Sequence, residues 1–428
     1  MQNIPKVLLD KADRLEEKTG RVFPALQPLA RQCFLNTIET TVQQLEDGSF
    51  FVITGDIPAM WLRDSAAQLK PYIKYAKEDE DLAAIFRSVI AKYAFYVNLD
   101  PYSNAFNSGP HRPTNTAFNF EDYTDFESPW IWERKYEVDS LCAPLYLTHE
   151  YFMSTKDASI FTESFRLMVQ KIVTTFTVEQ RHGEKSPYWF VREHAWTKTD
   201  TLPGHGHGRP VNHTGMTWSG FRPSDDSCTF GYLIPAEMMA VVALRKAAEL
   251  VETGYQDEVL KTRCLDLAEE IEDGIEAYGT VLHPKYGKIY AYETDGFGNY
   301  NLMDDANSPS LLAIPYLGYR PADDPVYQNT RRFILSPDNP YYYEGTAAKG
   351  IGSPHTPPRY IWHIGLVMQI LTSTDPAEKQ TCLETLARTH AGTNYMHEGF
   401  SVDDPTQFTR PWFAWANTLF AQMLDTLE

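Results

Sequence analysis

Apolar residues recur at helical spacing along most of this chain, and that periodicity constrains the fold more than any other feature. Leu82, Ile85, Phe86, Val89, Ile90, Tyr93 and Tyr96 keep the i, i+3, i+4, i+7 pattern of one buried helix face. Phe161, Phe165, Met168, Val169, Ile172, Val173 and Phe176 repeat it, as do Trp412, Trp415, Ala416, Leu419, Phe420, Met423 and Leu427 near the C-terminus. The stretches 232–251 and 358–373 are apolar almost all round, which predicts fully buried helices. In all, the spacing predicts about a dozen helical segments. Strand signals are short: 50–54, and a hairpin of 281–283 with 288–292.

Long irregular stretches separate the helices, at 99–132, 183–230, 279–310 and 336–358. They are rich in Gly, Pro, Asn and Asp, yet they hold too many of the chain's Trp, Tyr and Phe residues to be disordered. Long ordered loops inside a compact domain are usually functional. We therefore expect them to gather at one end of a helical scaffold. No composition break or linker divides the chain, so residues 1–428 read as a single domain. An open helical solenoid would show a repeat of about 34–47 residues, and none is visible. The expectation is all-α: six helical hairpins closed into an (α/α)6 toroid, with long loops and a few short strands.

Charge narrows the function. A formal net charge of −19 opposes nucleic-acid binding, which needs a basic footprint, and disfavours anionic membrane surfaces. A neutral oligosaccharide is compatible with it. The five cysteines are scattered without a CxxC pair, and Met1–Leu9 lacks the apolar core of a secretion signal. Both features suit reduced thiols and a cytoplasmic location. No run approaches 18 apolar residues, so no membrane span is expected. Gly-rich phosphate loops and the GxSxG elbow are absent, so no nucleotide cofactor is implied. The histidines of the Gly204–Gly208 run, with His213, lack the spacing of a zinc site, and no metal is expected.

Three clusters can carry chemistry. The first, Thr54–Ser65, combines Asp56, Trp61, Arg63 and Asp64. Carboxylates and a forked guanidinium hold sugar hydroxyls in pairs beside an aromatic wall; alternatively, Asp64 or Ser65 caps the next helix around a structural ion pair. The second, Trp218–Ser227, holds Arg222 and the pair Asp225–Asp226 ahead of the apolar helix at 232. One Asp can cap that helix, and the other can face apolar loops, where desolvation raises a carboxyl pKa and prepares a general acid. The third places Glu398 in a His-Glu-Gly-Phe turn near Tyr395, where it could activate water; a solvated surface Glu is the alternative. Further polar residues sit among aromatics: Asn104, Asn107 and His111 in one loop; Glu133, Arg134 and Asp139, expected to begin a helix; Asp304, Asp305 and Asn307; and His355, Arg359 and His363, expected with Trp362 to enter another helix.

These strings together resemble glycoside hydrolase family 125, the exo-α-1,6-mannosidases. The resemblance runs nearly end to end, through 54–65, Glu133–Pro144, 218–226, Asp304–Leu311, His355–His363 and His397–Phe400. It implies an (α/α)6 fold, inverting hydrolysis of terminal α-1,6-linked mannose, and no catalytic metal. It places the general acid on Asp225, with Asp226 in reserve, and the general base on Glu398. The expected substrate contacts are Asp56, Trp61, Arg63, Asp64, Asp139, Arg222, Asp226, Asp305, Asn307, His355 and His363. Two other readings remain at this stage: another sugar-active enzyme on the same toroid, such as an exo-glucosidase or epimerase, or a non-catalytic glycan-binding protein.

Overall fold

A computed structural model describes residues 4–111, 121–195 and 197–427; part of the 99–132 loop therefore lies outside the described residues. In chain order the helices are α1 (Lys6–Val22), α2 (Gln27–Thr40), α3 (Leu62–Leu69), α4 (Glu80–Leu99), α5 (Val138–Thr155), α6 (Glu163–Glu179) and the single turn α7 (His182–Lys185). They continue with α8 (Ile234–Tyr255), α9 (Glu258–Tyr278), the short α10 (Ile314–Leu317), α11 (Pro325–Ile334), α12 (His363–Thr372), α13 (Pro376–Thr389) and α14 (Ala414–Thr426).

The packing closes a ring. Helix α3 touches α5, α5 touches α8, α8 touches α10, α10 touches α12, α12 touches α14, and α14 returns to α3. Between these inner helices the chain passes out and back through α4, α6, α9, α11 and α13, while α2 packs on α14 from outside. This is the (α/α)6 toroid, with α1 added against α2. The apolar faces read from sequence are the packed ones: Ile85, Phe86, Val89 and Tyr93 of α4 are buried, as are Met168, Val169 and Ile172 of α6. By length and composition α4 could cross a membrane, but more than half of its apolar window is buried against neighbouring helices. It serves here as a core helix of the outer ring.

The two rings begin their helices differently. Five outer helices carry their own side-chain caps, Asp79 on α4, Thr162 on α6, Asp257 on α9, Asp324 on α11 and Asp375 on α13, while α2 starts after Leu26 without one. Inner helices α3, α5, α8, α12 and α14 have none. Instead, short strands run straight into several of them. Met60–Trp61 leads into α3 and pairs with Ala105–Phe106, which also pairs with Ile131–Glu133. Tyr232–Leu233 leads into α8, and Tyr360–Trp362 leads into α12 while pairing with Gly399–Ser401. Gly55 bridges Phe413, the residue before α14. The expected hairpin is present as Thr280–His283 with Gly287–Tyr290.

Several local expectations are corrected. Helix α3 starts at Leu62 after Trp61, so neither Asp64 nor Ser65 caps it; Asp64 lies in its first turn and the Ser65 hydroxyl donates to the Trp61 carbonyl at 2.7 Å. Asp226 does not cap the helix at 234, whose N-cap position is Leu233. Glu133 ends a strand, and helix α5 begins only at Val138. Trp412 precedes the last helix, and the first residues of 358–373 form a strand.

Candidate active site

The uncapped ends of α3, α12 and α14 open on one pocket of about 240 Å³. Its wall comprises Thr54, Asp56, Ile57, Trp61, Arg63 and Asp64 from the first cluster, Pro223, Ser224 and Asp225 from the second, and Glu398, Arg410 and Phe413 from the third, with Asn307, His355 and Trp362. Three segments distant in sequence thus meet at the mouth of the ring.

The floor is a buried ion cluster. The Arg63 guanidinium donates to Glu137 at 2.6 Å, to Asp139 at 2.9 Å and to the Pro223 carbonyl at 2.7 Å, and lies 3.4 Å from Asp64. Three carboxyls share one guanidinium away from water. Burial raises Glu137 well above its ordinary value, with Asp139 and Asp225 adding to the shift. Asp139 and Asp64 are also raised by burial, against the pull of Arg63. Neutralising some of these carboxyls is the response expected where desolvation outweighs the available counter-charge.

The two adjacent aspartates receive opposite environments. Asp225 adopts a left-handed backbone, with φ of 68°, in the turn that carries it to the pocket. Burial pushes its carboxyl pKa up and Glu133 adds to this, while Lys135, His355 and Arg63 work against it. Its Oδ1 atom has no hydrogen-bond partner. Asp226 is also buried, but His355 and the Thr199 hydroxyl hold it below its ordinary value. Packing around the His355 ring disfavours its charge, yet Asp226 (3.6 Å from Nδ1), Glu398 and Asp225 raise its pKa to about 9.

Glu398 is 5% exposed and immediately precedes the strand Gly399–Ser401, whose register sets Gly399 opposite Trp362. Behind it, the His397 amide donates to Nδ1 of His363 at 2.9 Å. Arg410 stands 3.7 Å from Glu398 and grips Asp56 with Nε at 3.0 and 3.2 Å from its two oxygens. The pocket thus contains the Asp225 carboxyl, its pKa raised by burial, the Glu398 side chain beside a guanidinium, and aromatic walls from Trp61, Trp362 and Phe413.

Of the residues expected to act in catalysis or contact substrate, eight line this pocket: Asp56, Trp61, Arg63, Asp64, Asp225, Asn307, His355 and Glu398. Five do not, for clear reasons. Asp139 is fully buried beneath Arg63. Arg222 is consumed by a buried ion pair with Glu293 at 2.6 Å. Asp226 turns to Thr199 and His355. Asp305 accepts from Ser224 at 2.7 Å and Ser353 at 3.1 Å, bracing the wall from behind. His363 is fully buried, and burial together with His397 drives its pKa down to about 3. Arg410, Trp362 and Phe413 line the wall without having been expected as substrate contacts. Arg410 precedes Pro411 and looks like an ordinary loop residue; only its bond to Asp56, 354 positions away, brings it here. Among the described residues, no group of three or more His, Cys, Asp or Glu side chains is arranged to hold a metal ion.

Comparison with known proteins agrees with this architecture. The family model described as metal-independent alpha-mannosidase (GH125) matches residues 24–425. The meiotically up-regulated gene 157 protein of Schizosaccharomyces pombe is 39% identical over 446 residues, spanning all of this chain and 86% of that protein. A solved structure of a metal-independent alpha mannosidase from Streptococcus pneumoniae, in a non-productive substrate complex with alpha-1,6-mannobiose, superposes with a TM-score of 0.92 at 46% identity, covering 98% of this chain and 97% of that one. A bacterial glucoamylase complexed with acarbose shares the fold alone, at 13% identity and a TM-score of 0.56, over 86% of this chain and 49% of that one. With a family match from the second helical approach to the last helix and a near-complete structural superposition, this chain belongs to the metal-independent α-mannosidases of glycoside hydrolase family 125.

Proposed function

We propose that this α-mannosidase removes terminal, non-reducing α-1,6-linked mannose from short oligosaccharides in one displacement with inversion. Asp225 donates its proton to the glycosidic oxygen as the C–O bond breaks. Glu398 removes a proton from the water that adds to the opposite face of the anomeric carbon. The observation that carries this reading is the pairing, in one pocket, of an Asp225 carboxyl raised by burial with Glu398. An acid must arrive protonated, and burial of the Asp225 carboxyl favours its protonated form. The likeness to a mannosidase bound to alpha-1,6-mannobiose supports the linkage.

Arg63, Asp64, Asp56 and Arg410 offer charged donors and acceptors for mannose hydroxyls, and Trp61, Trp362 and Phe413 offer apolar faces to the ring. Asn307 and His355 complete the wall. The five cysteines are free and buried, which supports a reducing, cytoplasmic setting; cell fractionation with antibody detection tests that point.

The decisive measurement follows released mannose by proton NMR during hydrolysis of α-1,6-mannobiose. β-Mannose appearing first supports inversion and the roles given to Asp225 and Glu398. α-Mannose appearing first requires a covalent intermediate and a new role for Glu398. No release from this substrate, with release from another α-mannoside, rejects the linkage and leaves the family activity intact.

A further inference from the structure

The turn that presents Asp225 is held at several of its polar backbone atoms. The Asp225 amide donates to the Arg222 carbonyl at 2.9 Å, and the Arg222 amide donates to the Asp226 carbonyl at 2.8 Å. Phe221 and Ser227 bridge across its base. The Pro223 carbonyl accepts from both Arg63 and Asn307, each at 2.7 Å, and the Ser224 hydroxyl donates to Asp305. A left-handed non-glycine residue persists only where the surroundings over-determine it, and this turn meets that condition.

One anchor differs from the rest. The carbonyl of Asp225 itself accepts from the ammonium of Lys135 at 2.9 Å. Lys135 is 1% exposed and is absent from the pocket wall, so it touches the acid's backbone and no sugar. The same ammonium donates to Asp200 at 2.7 Å, lies 3.7 Å from Glu133 and sits 5.3 Å from the Phe221 ring centre. Burial disfavours its charge, but Glu133, Asp225 and Asp200 hold it protonated. A neutral amide would suffice to hold a carbonyl. A buried cation is far more costly to place, and here it lies between the acid's peptide and the carboxylates of Glu133 and Asp200. The ionisable groups bearing on Asp225 are Lys135, Glu133, His355, Arg63 and Glu137, with Asp226 beside it in the chain.

We propose that Lys135 is a positioning residue for the general acid: its ammonium pins the Asp225 peptide in the left-handed turn and balances the carboxylates behind it. The proposal rests on Asp225 being the acid, so its test must separate the two ideas. Substrates that differ in leaving group do so. α-1,6-Mannobiose needs a proton on its departing oxygen; 2,4-dinitrophenyl α-mannoside has a leaving group that departs without one.

Lys135→Met is expected to lower kcat on mannobiose by about 10- to 100-fold, the scale of a misplaced reacting group, with KM little changed. The dinitrophenyl substrate should lose much less. The alkaline limb of the kcat–pH profile on mannobiose should move to higher pH, because without the cation Asp225 keeps its proton longer. Lys135→Arg keeps the charge and should leave that limb in place. Should Lys135→Met fail to fold, Asp200→Asn provides the complementary variant. It loosens the ammonium and removes a carboxylate, so kcat on mannobiose should fall and the alkaline limb should move to lower pH. Equal slowing of both substrates with an unmoved limb, in whichever variant folds, overturns the proposal. Asp225→Asn is the control: if it too slows both substrates equally, Asp225 is not the acid, and the underlying reading fails instead.

Discussion

Two neighbouring carboxyls of one chemical type are made into different groups by what surrounds them. Burial raises the Asp225 pKa, whereas the Thr199 hydroxyl, which donates to Asp226, and the His355 ring, 3.6 Å from it, hold Asp226 below its ordinary value. Asp225→Asn and Glu398→Gln are expected to lower kcat on α-1,6-mannobiose by about 10²–10⁴-fold each, the usual value of acid–base assistance. Steady-state kinetics on folded variants checks this. His363 titrates in the opposite sense. Its folded pKa lies near 3, below the ordinary 6.5 of the unfolded chain. Below pH 6.5 the unfolded state therefore takes up a proton that the folded ring refuses. That group's contribution to stability is complete above about pH 6.5 and falls by up to about 1.4 kcal/mol per pH unit as the pH drops towards 3. Thermal melts at pH 7 and pH 5 should show a larger drop for the wild type than for His363→Asn.

The contrast between rings is the main lesson among the helices. Five of the outer helices begin at a capping side chain followed by a helical run, a start signal that is local in sequence. Inner helices begin directly from a strand residue, and their first turns hold pocket groups such as Arg63 and Asp64. The expectation that Asp64, Ser65 or Asp226 would act as a cap applied the outer-ring rule to the inner ring. Asp257 and Asp324 accept from the backbone amides of Leu260 and Tyr327 far from the pocket wall. Asp257→Ala and Asp324→Ala should each cost about 1 kcal/mol of stability, with kcat on mannobiose unchanged. Denaturant titration and kinetics on the same preparations test both halves of that statement.

Closure of the ring also assembles the site. Helix α14 returns to α3, so the loop before α14 lies against the loop before α3, and Arg410 reaches Asp56. Gly55 marks that seam: its φ is +137°, and an added Cβ would stand 2.3 Å from the Trp412 carbonyl oxygen. Gly55→Ala is expected to destabilise the protein by about 1–3 kcal/mol, the cost of a strained backbone position. It should also raise KM, because Asp56, Arg410 and Phe413 all belong to the two loops it forces apart. Differential scanning calorimetry and mannobiose kinetics are the measurements.

The sequence by itself determined the helices, the closed toroid, the family and the pair Asp225 and Glu398 as candidates. Those properties depend on local periodicity, the lack of a solenoid repeat and unbroken strings of residues. Only the tertiary structure decided which polar residues face the pocket. Asp305 and His363 lie close in sequence to Asn307 and His355, yet the first two brace the wall and the last two form it. Lys135 does not stand out in the sequence, yet it is buried against the acid's own carbonyl. Arg410 becomes a wall residue only because the last helix closes on α3. Helical spacing is set by neighbours three and four residues away, whereas side-chain direction and desolvation at the pocket depend on elements hundreds of residues apart, whose positions are fixed only when the ring closes.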